Sequence, residues 1–269
     1  MIGSSMRRAA AKLGALSAAL TLVGWAVGAA SAGAAIPIGP GPQLHYTVQP
    51  QPAPGTCHYR HTAAGQPLQD VLCTPGALNP KVKQTTLATT VCMSGYTTSI
   101  RPPTSITDKE KLANAKSYHY TGSLAQAEYD HLVPLELGGD PNSAKNLWVE
   151  PTSPGHTTSQ GVSDPNHGVE AHLKALVCDY LKPTVRTYLP LARAQLLIDG
   201  NWTTASALAP HYLVAKLSGD QLEKILSDYA AEGWQLKALT RARGARSIVD
   251  LVTFERQIGE QFAMMPGGL

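Results

Sequence analysis

Four cysteines, Cys57, Cys73, Cys92 and Cys178, set the strongest limit on how this 269-residue chain can fold. An even count in an exported chain points to two disulfides, and three pairings are open. The favoured one joins Cys57 to Cys73, closing a short loop, and Cys92 to Cys178, tying an early strand to a late helix. The long loop alone would remove about 4–5 kcal/mol of unfolded-state entropy. The rival reading, a structural zinc site, lacks the C-x-x-C pair such sites use.

Export is itself read from the N-terminus. Arg7, Arg8 and Lys12 precede an apolar, small-residue run over residues 13–30. Ala30-Ser31-Ala32 then fits a signal-peptidase site. The competing reading, an uncleaved anchor, needs a run longer and more apolar than this Gly/Ala-rich one. The expected location is secreted, with no stable membrane association after cleavage. Hydrophobic residues make up 43% of the chain and charged residues 15%, which suits one or two domains with cores and excludes a disordered polyelectrolyte. A net charge of +3 permits a polyanionic partner without requiring one.

Residues 37–55 are rich in Pro, Gly and Gln and read as a flexible or extended leader. Residues 85–91 include several β-branched side chains and predict a strand. Thr107 and Glu110 give a capping-box pattern for a helix through about Lys116, and Ser123 with Gln126 gives a second such signal. A short strand around Tyr129 ends in Gly138-Gly139, and residues 146–150 form its partner. After a polar loop, Asp164 and Pro165 mark a helix start. Val169, Leu173, Leu176, Val177 and Tyr180 recur at helical spacing. A further helix over residues 189–198 should end at Gly200. Beyond His211 the pattern is strand, helix (Leu222, Ile225, Leu226, Tyr229), strand from Trp234, a basic turn with Arg241, Arg243 and Arg246, and a last strand over residues 248–256. That basic turn is read first as solvated and second as an anion or polymer contact.

Asp130-His131, followed by Asn146 on the partner strand and then a helix, is the constellation that carries chemistry. Phosphodiester hydrolysis needs a water-derived nucleophile and charge stabilisation on the phosphoryl and leaving oxygens. One divalent cation can supply the second. A histidine can supply the first by taking the proton from water. Side chains alternate along a strand, so a bend would be needed to aim both Asp130 and His131 at one phosphate.

The stretch EYDHLVPLELGGDPNSAKNLWVEP resembles the HNH endonuclease motif, in which D-H-x-x-P leads through a glycine turn to N-L. More broadly, the run from Cys73 to Ala205 is similar to small secreted actinobacterial HNH-type nucleases, through VCMSGYTTSIRPP, DHLVPLELGG, NLWVEP and VEAHLKALVC. This covers about half of the chain. The resemblance implies His131 as general base, Asp130 as metal ligand, and Asn146 as a catalytic-site residue that braces the loop and positions the histidine. At the third motif position the family's lysine-aspartate pair is missing. His167 is taken as the second metal ligand, with Asn166 and His156 as alternatives. The implied cofactor is one divalent cation, Mg²⁺ or Mn²⁺ with Zn²⁺ as a further candidate, and the implied partner is nucleic acid, DNA before RNA. Glu136 and Glu150 are read as solvated strand residues before metal-adjacent carboxylates. Trp148 is read as core, and Arg101 and Lys145 as solvated before phosphate-binding.

The expected fold is therefore α+β. A ββα-metal (HNH) core with flanking helices, stapled by disulfides, precedes a small C-terminal β-α-β-β unit that resembles a domain of unknown function. The expected boundaries are 1–34 signal peptide, 35–56 leader, 57–207 nuclease domain, 208–262 C-terminal unit and 263–269 tail. The alternative function is a non-catalytic exported binding protein on the same scaffold. A zinc hydrolase of another substrate class ranks third, for want of an H-E-x-x-H spacing.

Overall fold

The computed structural model describes residues 35–152, 167–185, 187–212, 214–218, 234–243 and 248–256. The expected signal peptide, the Asp164–Pro165 helix start, His156, Asn166, the helix around Leu222, Arg246 and the tail lie outside these residues. The chain is α+β with two disulfides, Cys57–Cys73 and Cys92–Cys178, as the spacing suggested. This pairing fits an oxidising compartment. Among the described residues no helix is long and apolar enough to cross a membrane.

Among the described residues three small sheets carry the strands. β1 (Arg60–His61) pairs with β2 (Pro67–Leu68). β3 (Ala127–His131) pairs antiparallel with β4 (Leu147–Pro151), with Asp130 opposite Trp148 and His131 opposite Leu147. β5 (Thr187–Tyr188), β6 (Val214–Ser218), β7 (Trp234–Arg243) and β8 (Ile248–Arg256) form a four-stranded antiparallel sheet in the order β5-β6-β8-β7. β5 pairs with β6, so main-chain bonds bridge the expected boundary at residue 207. β7 runs through Arg241 and Arg243, which the sequence had placed in a turn.

The α-helices among the described residues are α1 (Tyr96–Ile100), α2 (Thr104–Ser117), α3 (His167–Cys178) and α4 (Leu191–Leu208). The main core packs α3 and α4 against the turn after β3. Leu135, Leu137, Leu173, Val177, Leu189, Ala194 and Ile198 are its fully enclosed centre. A second cluster joins Trp148 and Leu132 to Tyr118, Tyr59 and the Cys57–Cys73 bridge.

Four local expectations are corrected. Residues 85–91 are not a strand; Gln84–Thr89 is a 3-10 turn. Its threonines fold back on the local main chain: Thr86 Oγ1 donates to the Lys83 carbonyl and Thr90 Oγ1 to that of Thr86. Such short-range bonds compete with a strand ladder. α2 begins a turn before the Thr107 signal, at Thr104 after Pro102-Pro103, and Glu110 is buried inside it. Ser123 makes no side-chain cap; Leu124–Gln126 is a single 3-10 turn. The helix expected to stop at Gly200 resumes after an extended residue, Asn201 (φ −164°, ψ 102°). The Asn201 carboxamide oxygen accepts from the Thr203 N–H and hydroxyl, which recaps the second segment. Trp202 then donates its indole N–H to Pro67.

The Pro-rich leader is extended and strapped along the body. Gly39 and Leu78 exchange main-chain bonds through Pro37, and Gly41 N–H donates to Asp140. Gln49 N–H donates to Glu110, and Ser117 donates its hydroxyl to Pro52.

β4 is the hairpin strand with apolar residues on both faces, and Leu147, Trp148 and Val149 are all fully buried. Among the described residues its outer edge has no partner strand, so its polar main chain must be satisfied otherwise. Asn114 of α2 does this. Its Oδ1 accepts from Val149 N–H at 2.8 Å, and its Nδ2 donates to Gln51 and Leu147. Tyr59 adds a hydroxyl donor to the Val149 carbonyl at 2.7 Å. Replacing Asn114 by Ala strands a buried N–H, which costs about 1–3 kcal/mol. Urea unfolding of the oxidised chain should show Asn114→Ala shifted to lower midpoint with unchanged slope.

Burial raises the Glu110 carboxyl to about 7 against the opposing bond from Gln49. Its folded value lies above its unfolded one, so the folded chain binds the extra proton between them. The stability it contributes is present at low pH and lost as pH rises from about 4.5 through 7. Glu110→Gln should therefore match the wild type at pH 5 and exceed it in thermal midpoint at pH 8.

Candidate active site

β3 delivers Asp130 and His131 to the mouth of a polar cleft of about 200 Å³. Arg101 and Thr97 border it from the α1 end, and Pro134, Leu135 and Glu136 from the turn after β3. His167 and Glu170 border it from the first turn of α3. The structure thus brings Asp130, His131 and His167 to one cavity. It places Asn146 elsewhere, among the loop backbone.

The loop from Leu132 to Asn146 is built on one carboxamide. Asn146 is fully buried, and its Oδ1 accepts from Val133 N–H at 3.0 Å and Ala77 N–H at 3.3 Å. Its Nδ2 donates to the carbonyls of Val133 and Asp140, each at 3.0 Å. All four hydrogen-bonding sites of the amide are filled. Asn146 is therefore a positioning residue and makes no contact with the cleft. Asp140 closes the same loop: its Oδ1 accepts from Asn142 and Ser143, and its Oδ2 from Gly41. Gly139 is required by close approach, since a Cβ there would lie 1.7 Å from the Val133 carbonyl oxygen and 2.7 Å from Asn146 Nδ2.

This clamped loop presents the Pro141 carbonyl to His131 Nε2 at 3.1 Å. A carbonyl only accepts, so Nε2 carries the hydrogen and the neutral ring keeps its lone pair on Nδ1. Burial pushes the His131 imidazole down to about 4, helped by the Arg101 charge and opposed by the Pro141 bond. The ring is neutral, with an open acceptor nitrogen, throughout the physiological range.

Asp130 is anchored across the hairpin. Its Oδ2 accepts from the indole N–H of Trp148, its register partner, at 3.0 Å. Trp148 itself is fully buried against Tyr59 and Tyr118, so it is core, as expected.

Glu136 is half-buried in the cleft, and Glu150 is 1% exposed; neither is the solvated strand residue the pattern suggested. Glu136 sits in the 3-10 turn Leu135–Leu137, whose two leucines are locked into the core with Leu173 and Val177 of α3. The turn therefore faces the start of α3. Potential ligand atoms of Glu136, His167 and Glu170 lie within 4.8 Å of one another. Lys174 Nζ contacts Glu136 Oε2 at 3.3 Å, while Glu136 Oε1 is buried with no partner among the described residues. Glu170 was not singled out from the sequence. Its signal was the H-x-x-E spacing, which puts two ligand types on one face of a first helical turn. Arg101 borders the cleft; Lys145 is exposed and does not.

Compared with protein-family models, with curated proteins and with solved structures, the chain matches none.

The tautomer and basicity of His131 are directly measurable. In the unfolded chain the ring titrates near 6.5, and in the folded chain near 4. Between these values only the unfolded chain binds the proton, so the stability His131 contributes is full above about 6.5 and lost as pH falls toward 4. Long-range proton–nitrogen NMR should find a neutral Nε2–H ring at pH 6 and no titration of this ring above pH 5. A midpoint near 6.5 would contradict the burial argument.

Proposed function

We propose that this chain is an exported, metal-dependent endonuclease of the HNH type that hydrolyses phosphodiester bonds, of DNA in the first instance, with His131 as general base. The observation that carries this reading is the His131 ring. It lines a polar cleft, with Nε2–H fixed by a main-chain carbonyl and Nδ1 left as acceptor, beside an arginine and a set of carboxylate and imidazole groups. Antiparallel β3–β4 followed by α3 gives the strand-strand-helix order expected of a ββα-metal core. The two disulfides support export.

The donors bordering the cleft fit a divalent cation. Asp130, Glu136, His167 and Glu170 offer carboxylate oxygen and imidazole nitrogen, and one buried Glu136 oxygen awaits a partner. These are the ligand types of Mg²⁺, Mn²⁺ and Zn²⁺. When bound, such a cation supplies Lewis-acid charge to the phosphoryl and leaving oxygens.

The chain's own residues supply the rest. His131 Nδ1 takes a proton from the attacking water, and burial keeps the ring unprotonated, and so able to accept it, above about pH 5. The resulting imidazolium is stabilised by its Nε2–H bond to Pro141. Arg101 offers its guanidinium to a non-bridging phosphate oxygen, a match of planar donors to acceptors. Asn146 and Asp140 hold the loop so that Pro141 stays on the ring.

Supercoiled plasmid, incubated with the oxidised chain and Mg²⁺, Mn²⁺ or Zn²⁺, should be nicked. His131→Ala should reduce nicking about 10²–10⁴-fold with the fold intact by circular dichroism. Undiminished nicking by that variant would refute the assignment. Absence of both nicking and cation binding in the wild type would favour the exported binding-protein scaffold.

A further inference from the structure

We propose that Glu136, His167 and Glu170 form the resting seat of a divalent transition cation, Mn²⁺ or Zn²⁺, and that Asp130 is not one of its primary ligands. The inference deepens the endonuclease reading, on which it rests for the purpose of the cation, by naming the side chains that hold it.

Three features of the cleft carry the assignment. The first is convergence from two independently fixed elements. His167 and Glu170 stand one helical turn apart at the start of α3, and Glu136 reaches them from the turn after β3. Leu135 and Leu137 flank Glu136 and pack with Leu173 and Val177, so the separation between turn and helix is set by the core. The second is the donor set. One imidazole and two carboxylates are three protein ligands of the kind that leave a coordination position open, as catalytic sites require. The imidazole suits Zn²⁺ over Mg²⁺ and Ca²⁺, and the two carboxylates suit Mn²⁺ as well. The third is the buried Glu136 Oε1, which has no hydrogen-bond partner among the described residues although Lys174 contacts its sister oxygen. A cation gives that oxygen its partner without displacing the lysine.

Ligand atoms about 2.0–2.2 Å from a tetrahedral ion stand about 3.4 Å apart. The present spacing, within 4.8 Å, needs closure by about an ångström, and His167 is exposed in the first turn of α3. Asp130 is placed differently. Its Oδ2 is engaged by the Trp148 indole, and it does not belong to the converging group. Its role is to border the cleft from the strand side, where a carboxylate oxygen can accept a hydrogen bond from the attacking water.

Isothermal calorimetry of the full oxidised chain with MnCl₂ and ZnCl₂ tests this. One ion should bind per chain. Glu136→Gln and Glu170→Gln should each weaken binding at least tenfold, and Asp130→Asn by less than threefold. Because Glu170 is buried and its variant can misfold, the wild type supplies a second readout. Zn²⁺ should shift a ring nitrogen of His167 by NMR and leave the Nε2–H tautomer of His131 intact. Wild-type affinity in both glutamate variants, a tenfold loss in Asp130→Asn, or an unmoved His167 ring would overturn the seat. Nicking with intact binding in the glutamate variants would sink the seat and spare the nuclease. Binding at the seat without any nicking would do the reverse.

Discussion

The four hydrogen bonds of the Asn146 carboxamide are the constraint on which the rest of the site depends. The loop between β3 and β4 carries two glycines, a proline at each end of its turn and an aspartate that folds the chain back on itself. Leu132, Val133, Leu135 and Leu137 anchor its first half in the core, but the stretch from Gly138 to Ser143 brings no large apolar side chain to hold it. A single buried amide, matched to two main-chain donors and two main-chain acceptors, fixes its path. Everything the cleft needs follows from that path: Pro141 meets His131, Glu136 faces α3, and Gly139 passes too close to Val133 for any side chain. A buried polar network of this kind specifies one conformation because a half-satisfied alternative is so costly.

The same logic recurs on the far side of the hairpin. A two-stranded sheet is marginal on its own and leaves two open edges. α2 covers one of them with Asn114, whose amide substitutes for a neighbouring strand, and the leader straps over α2 through Gln49 and Pro52. The Cys57–Cys73 bridge joins the aromatic group of Tyr59, Tyr118 and Trp148, and Trp148 in turn holds Asp130. Disulfide, aromatic packing and the cleft carboxylate Asp130 are thus one continuous assembly.

The parts of the molecule legible in its sequence were those governed by local periodicity or by spacing. The hairpin strands around Tyr129 and Trp148, the helix carrying Leu173 and Val177, and both disulfides were all visible this way. So were Asp130, His131 and His167 as cleft residues. Tertiary contacts decided what was missed. Thr85 to Thr90 have strand-forming side chains, yet their hydroxyls bind the local main chain. The helix breaks at Asn201 rather than at Gly200, and the Asn201 side chain restarts it. The leader is polar and Pro-rich, and only the positions of Glu110 and Asp140 reveal why it is tied down. In the sequence Glu136 reads first as a solvated carboxylate, and Glu170 carries no signal beyond its spacing from His167. They become a pair only when the leucines beside Glu136 are seen to lock against α3. The one departure from the resemblance, His167 without a lysine-aspartate pair, is where the chain places an imidazole between these carboxylates.

An anomalous difference map from crystals of the oxidised chain grown with MnCl₂ tests the central claim, that the loop clamp and α3 together shape one cation cleft beside His131. The account predicts a single strong peak about 2.0–2.2 Å from oxygens of Glu136 and Glu170 and a nitrogen of His167, with the His131 ring still on the Pro141 carbonyl. A peak elsewhere in the molecule, or an empty cleft at saturating Mn²⁺, would contradict it.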